Sequence, residues 1–412
     1  MRDADLEAVF RPGSRVFVPG SSGEPAGLVR WLEADPERTR GVSLTTSFVP
    51  GINRLDVDAL DPSAVVTGLF MAPHLRAAQA SGRYRHLPVS YGAYQLSIER
   101  DAGFDVVVVQ VAPTDDAGWC SLGPAAEFTP AAAGRARRLV GVVNARTPRL
   151  SRGPAIHRGR FDLLIEGEGD LPVYDPGAPD PAAEAIARYV GAFIEDGVVL
   201  QLGLGKTPAA LTATLKDRRG LRLHSGLLSD GVLDLAEAGA LDPDWRHLGC
   251  VLAGSAALYR RAADCDLIHV EGCEVTHAPQ VLATLDRFIA VNSALEVDLF
   301  GQCNLECAGG RAVSGPGGAP DFARAARMSR GGASIIALPA SARGGSRIVS
   351  RLSSPGLASL SRTEVDIVVT EHGAADLRGL STHERAERLI SLADPAFRRA
   401  LAADWAGIAS GL

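Results

Sequence analysis

The stretch VVLQLGLGKTPAALTATLKDRRGLRLHSGLLSDG, Val198 to Gly231, reads as strand, helix and strand in immediate succession. VVLQLGLG opens on β-branched apolar residues and stops at a Gly-x-Gly turn, which marks a buried strand. TPAALTATLKD carries good helix formers with proline in the first turn. RLHSGLLSDG then reads as a second strand running out into a loop. Two strands joined through a helix lie parallel in one sheet. Upstream, AEAIARYVGAFIEDG places Ile186, Val190, Phe193 and Ile194 on one helical face and ends at Gly197. Downstream, HLGCVLAG, CDLIHVE, FIAVNSALEVDL, ASIIALP and VDIVVTEHG continue the alternation. On the amino-terminal side lies the proline-rich segment PVYDPGAPDP, Pro172 to Pro181, which suits neither helix nor sheet. Beyond it, SRVFVPG, GVSLTTSF, AVVTGLF, FDVVVVQVAP, RLVGVVN and FDLLIEG form another set of short apolar strands. The expected architecture is α/β with two domains, 1–171 and 183–412, joined by a linker at 172–182.

Composition narrows the function. A chain of 412 residues, 46% hydrophobic and 22% charged, has the length and apolar content for two domains with cores. The net charge of −6 comes from interspersed residues with no long basic run, which argues against nucleic acid or an anionic membrane as partner. Lys206 and Lys216 are the only lysines, a pattern that fits genomic codon bias. The opening MRDADLEAVFRPG has mixed charge and no apolar stretch, so no secretory signal is expected. The six cysteines include no CxxC pair and no histidine at a familiar zinc spacing; Cys303 and Cys307 alone are a weak metal signal. Free thiols in a reducing cytoplasm, and no metal, are therefore expected.

Several short motifs invite chemistry. Leu200 stands where a Walker A loop needs its first glycine, and Pro208 stands where a dinucleotide fingerprint needs its third. What remains at Gly203, Gly205 and Lys206 is a turn that lets a ligand approach backbone amides at a helix start. It also reads as a plain strand–helix connection. Gly315, Gly317 and Gly318, in SGPGG, form a side-chain-free wall or a surface turn. Asn292 follows a strand; Glu296 and Asp298 alternate with Leu295 and Val297, so both carboxylates can face solvent. Glu371 and His372 follow the apolar run Val365 to Val369 at the strand end where α/β proteins place their chemistry.

Taken in order, GSRVFVPGSSGEP, FDVVVVQVAPTDDAGWCSLG, QLGLGKTPAAL, LHSGLLSDGVLDLAEAG, AVNSALEVDLFGQ, SGPGGAPDF and IVVTEHGAADLRG resemble the acetyl-CoA hydrolase and CoA-transferase family, especially its butyrate and 4-hydroxybutyrate CoA-transferase branch. The resemblance runs from about Gly13 to about Leu401. It implies two CoA-transferase-type domains with the active site in the cleft between them, coenzyme A as the carrier of the substrate, and a homodimer. It also implies a glutamate nucleophile in a His-(Ser/Thr)-Glu strand end, passing through an anhydride to a glutamyl-CoA thioester. This chain reads His224-Ser225-Gly226 there, so the covalent relay has no side chain at residue 226.

Other residues compete for the role. Ser225 beside His224 suggests a nucleophile and base, but strand neighbours point to opposite faces. Glu296 and Glu371 are carboxylates that could replace the glutamate in an ordinary CoA-transferase. A catalytically inactive CoA-binding or scaffolding homologue is a third reading. The simplest chemistry has Gly226 leave space in which a small-molecule acceptor (amine, thiol, alcohol or carbanion) or water attacks the thioester directly. His224 or Glu371 would then act as general base, with the Gly317–Gly318 amides and Asn292 facing the oxyanion.

Overall fold

The computed structural model describes residues 6–7, 9–100 and 103–412, so residues 1–5 and 8 of the mixed-charge start lie outside it. The chain forms two compact units, Met1–Asp175 with Gly226–Asp230 and Arg246–Ala278, and Pro176–Ser225 with Gly231–Trp245 and Pro279–Leu412. It leaves the first unit inside the proline-rich segment and revisits it twice.

In the first unit seven strands lie in the order Tyr84–His86, Val65–Gly68, Ser43–Thr46, Arg15–Val18, Phe104–Val111, Ala136–Asn144, Leu163–Gly167. Every adjacent pair is parallel. The six strands read from sequence are all present. Tyr84–His86 was not anticipated, because SGRYRHLP is short, polar and at the sheet edge, where no apolar run is required. Val106 to Val109 are at most 3% exposed, as a central strand covered on both faces demands. The returning segments add short pairs: Leu227–Leu228 beside Val251–Leu252, and His247–Gly249 beside Ile268–Val270.

The second unit is built on Arg222–Leu223, Val199–Gln201, Phe288–Asn292, Ala333–Ala337, Ile367–Thr370 and Gly373–Asp376, in that spatial order. All neighbours are parallel except the last hairpin. The helix Pro181–Gly191 starts at Asp180, whose side chain accepts the Ala183 amide at 3.0 Å. It buries Ile186 and Val190, as the periodicity requires, and Gly197 beyond it has φ 72°. Among the described residues no helix is long and apolar enough to cross a membrane.

Three local expectations change. RLHSGLLSDG is not one strand: Arg222–Leu223 and Leu227–Leu228 join different sheets, and the chain passes from one unit to the other between Ser225 and Gly226. HLGCVLAG also divides at Cys250, because the Cys250 and Val251 amides both donate to the Gly226 carbonyl, at 3.0 and 3.2 Å. Asp298 does not face solvent. It is 1% exposed and accepts the Phe300 and Gln302 amides at 3.0 and 2.9 Å, so its carboxylate closes a turn.

Candidate active site

The carboxyl ends of the second unit's parallel strands converge on a cleft of about 190 Å³. The Val199–Gln201 strand delivers the Gly203–Lys206 turn to it, Phe288–Asn292 delivers Asn292 and Ser293, and Ala333–Ala337 delivers Ala337 and Pro339. Gly205 is the N-cap of the helix Lys206–Thr214 and has φ 120°, a conformation that disfavours any side chain. A Cβ at Gly203 would meet nothing within 4 Å, so backbone is open to a ligand there. Lys206 Nζ reaches Asp180 Oδ2 at 3.3 Å, leaving a flexible, half-exposed cation at the rim. Asn292 is 9% exposed, and its Nδ2 is a buried donor without a protein partner. Such a donor costs stability unless a ligand accepts from it.

Glu371 follows Ile367–Thr370, and its Oε2 accepts the Ala340 amide at 2.7 Å. His224 and Ser225 are each 1% exposed. Ser225 Oγ donates to the Leu202 carbonyl at 2.9 Å and so ties its strand end to the start of the glycine turn. Gly318 caps the helix Ala319–Met328, with Gly317 at φ 56° just before it and Gly315 buried. The cleft lining brings together Gly203, Gly205, Lys206 and Asn292 but does not include Gly315, Gly317 or Gly318. Glu296 Oε2 accepts from Asn304 Nδ2 at 3.3 Å and from the Ser353 amide at 3.1 Å.

Gly226 belongs to the first unit. Its carbonyl accepts from Cys250 Sγ at 3.0 Å, besides the two amides already named. Beside Cys250 lies Glu127, which sequence reading missed. Its amide donates to the Cys250 carbonyl at 3.3 Å, and its carboxyl oxygens accept from Ser21 and Ser47 hydroxyls at 2.6 Å each. Burial pushes this carboxyl up to about 7 although the two hydroxyls oppose the shift. A lone glutamate in the otherwise apolar run GPAAEFTPAAAG was its only signal.

Aromatic side chains of the first unit sit in different surroundings. Phe48 lines a small apolar cavity of about 20 Å³ with Val49, Leu55, Val66 and Phe70. Tyr91 and Phe128 pack edge to face in the core at 4.9 Å, and Trp119 is 46% exposed against His157. All six cysteines are free. Three side chains that sequence spacing did not connect, Cys250, Cys273 and His277, are gathered in the core of the first unit.

Residues 254–405 match the family model for the acetyl-CoA hydrolase/transferase C-terminal domain. The chain is 33% identical over 397 residues to the 4-hydroxybutyrate coenzyme A transferase of Clostridium kluyveri, covering 94% of this chain and 92% of that protein. RipA from Yersinia pestis superposes with a TM-score of 0.90 at 28% identity, covering 98% of this chain and 96% of that one. The 4-hydroxybutyrate CoA-transferase of Porphyromonas gingivalis gives a TM-score of 0.77 at 28% identity, over 98% and 95%.

Proposed function

The chain belongs to the acetyl-CoA hydrolase/transferase family and is an enzyme of acyl-CoA thioesters, and from that premise we propose that it passes the acyl group directly from CoA to an acceptor, with no acyl-enzyme on residue 226. The observation that carries the reading is Gly226 at the place where the resemblance puts a glutamate nucleophile. The acceptor's nitrogen, sulfur, oxygen or carbon attacks the thioester carbonyl, the C–S bond breaks, and CoA leaves as its thiol after taking up the proton lost by the acceptor. Water as acceptor makes the same site a thioesterase. Holding both partners in place supplies rate through proximity. The unpartnered Asn292 Nδ2 suits an oxyanion, and the Gly203–Lys206 turn suits the polar carrier. A free carboxylate is a poor acceptor here, because its direct product is a mixed anhydride. A homodimer is part of the same proposal.

The activities of the relatives favour a second reading, CoA transfer between carboxylates through a glutamate other than residue 226. Glu371 and Glu296 are its candidates; the hydrogen bonds that hold them in place count against either as a free nucleophile. One experiment separates the readings. Thiol release from several acyl-CoAs is followed with water, an amine and acetate as acceptors, and the protein is treated with hydroxylamine or borohydride during turnover. Direct transfer predicts thiol release with no trapped glutamyl thioester, and a trapped one overturns it. Gly226→Glu should gain CoA exchange with acetate while the native reaction weakens. Tight acyl-CoA binding without turnover by any acceptor would identify an inactive CoA-binding homologue.

A further inference from the structure

Cys250 comes from one part of the first unit's returning segment, and Cys273 and His277 from another. Cys250 sits between His247–Gly249 and Val251–Leu252, strands that pair with different partners, so its backbone is fixed on both sides. Cys273 opens the helical turn Cys273–Thr276 and His277 caps it. The i, i+4 spacing puts thiol and imidazole on the same side of that turn. Their exposures are 1%, 0% and 1%, and one donor atom from each lies within 4.8 Å of the others. We propose that these three side chains form a site for one thiophilic divalent cation, of which Zn²⁺ is the best match, a site separate from the CoA-binding chemistry and independent of which acceptor the enzyme uses.

Two sulfurs and one imidazole are soft to borderline donors, the set that selects zinc over magnesium or calcium. Tetrahedral zinc, with bonds of about 2.0–2.3 Å, needs donors roughly 3.3–3.8 Å apart, so small side-chain rotations close the cluster. Binding breaks two S–H bonds, sends both protons to solvent, and forms two metal–sulfur bonds and one metal–nitrogen bond. The two thiolates then cancel the ion's charge, which makes the complex tolerable in a dry core. Without an ion, burial keeps the Cys273 thiol protonated far above neutral pH. The Thr276 hydroxyl lies 2.9 Å from His277 Nδ1, and the Tyr91 ring centroid is 5.2 Å from that of His277, contacts that fix a ligating imidazole in orientation. Glu127 is not counted as a ligand, since both its carboxyl oxygens are held by serines. Three protein ligands leave a fourth position open.

The test uses the full chain, made metal-free with chelator under reducing conditions and titrated with Co²⁺, then Zn²⁺. Saturation at one Co²⁺ per chain is expected, with sulfur-to-cobalt charge-transfer absorption and the strong visible bands of four-coordinate cobalt, both abolished by Zn²⁺. Cys273→Ser and His277→Ala should weaken binding at least about 100-fold, whereas Cys265→Ser should leave it unchanged. If those variants do not fold, the wild-type charge-transfer band and stoichiometry still decide. No stoichiometric cobalt binding, a spectrum without thiolate ligation, retention of the band in Cys273→Ser, or a Cys250–Cys273 disulfide in protein purified under reducing conditions would each overturn the site.

Discussion

Glu24 is 7% exposed, and its Oε2 accepts from Asn53 Nδ2 at 2.7 Å. Burial raises its carboxyl to about 7, the Asn53 hydrogen bond offsetting only part of the desolvation. The folded chain therefore keeps a proton that the unfolded chain gives up near 4.5. Stability is full below that value, falls as pH rises through the window from about 4.5 to 7, and stays reduced above it. Glu24→Gln keeps an acceptor for Asn53 and removes the titration. It should be more stable than wild type by roughly 2–3 kcal/mol at pH 8 and nearly equal to it at about pH 4, by chemical denaturation. An equal difference at both pH values would refute the assignment. Asn292 makes the complementary case at the site. Its Nδ2 has no protein partner to lose, so Asn292→Ala should leave the melting temperature within a degree or two while kcat falls about 10² to 10³-fold. Sequence made Asn292 visible because it ends an apolar strand. It left Glu127 obscure, since nothing local announces the serines Ser21 and Ser47 that reach its carboxyl from distant segments.

At the scale of elements, the Gly203–Lys206 turn separates two uses of glycine. Gly205 is demanded by its own backbone at φ 120°, so Gly205→Ala should cost about 1–3 kcal/mol of stability whatever binds nearby. Gly203 has neither a positive φ nor a neighbour within 4 Å of an added Cβ. A methyl group there disturbs nothing in the protein, so any loss it causes belongs to a ligand. Gly203→Ala should unfold like wild type and raise KM for acyl-CoA about tenfold, the equivalent of 1.4 kcal/mol. An unchanged KM would remove this turn from the carrier's contacts. Strand positions were legible wherever a central strand buries both faces, as in Phe104–Val111, since burial writes a continuous apolar run. Breaks were not. The Cys250 division depends on the Gly226 carbonyl accepting two successive amides, a tertiary event with no signature in HLGCVLAG. Cys273 and His277 were close enough in sequence to be read as a helix-face pair, but the third member of their cluster lies on another element.

The whole molecule adds a property that alternation of strand and helix cannot encode, namely which sheet a strand joins. The chain's passage between units at Ser225–Gly226 sends Leu227–Leu228 and residues 246–278 back to the amino-terminal unit. There they bond to its interior loops: the Leu252 amide donates to the Pro124 carbonyl at 2.7 Å, Ala126 to Cys250 at 2.9 Å, and Cys273 to Glu127 at 2.7 Å. Ala126, Glu127 and Phe128 are at most 2% exposed in the presence of these segments. A fragment of residues 1–175, cut at the proline-rich seam, would expose apolar surface and leave those backbone groups to water. Such a fragment should lack a cooperative thermal transition, show weak near-ultraviolet dichroism and exchange the amides of residues 124–128 rapidly. Full-length protein should protect the same amides to near its global unfolding free energy. If the fragment instead melts cooperatively with those amides protected, the returning segments are accessories, and the first unit folds from its contiguous residues alone.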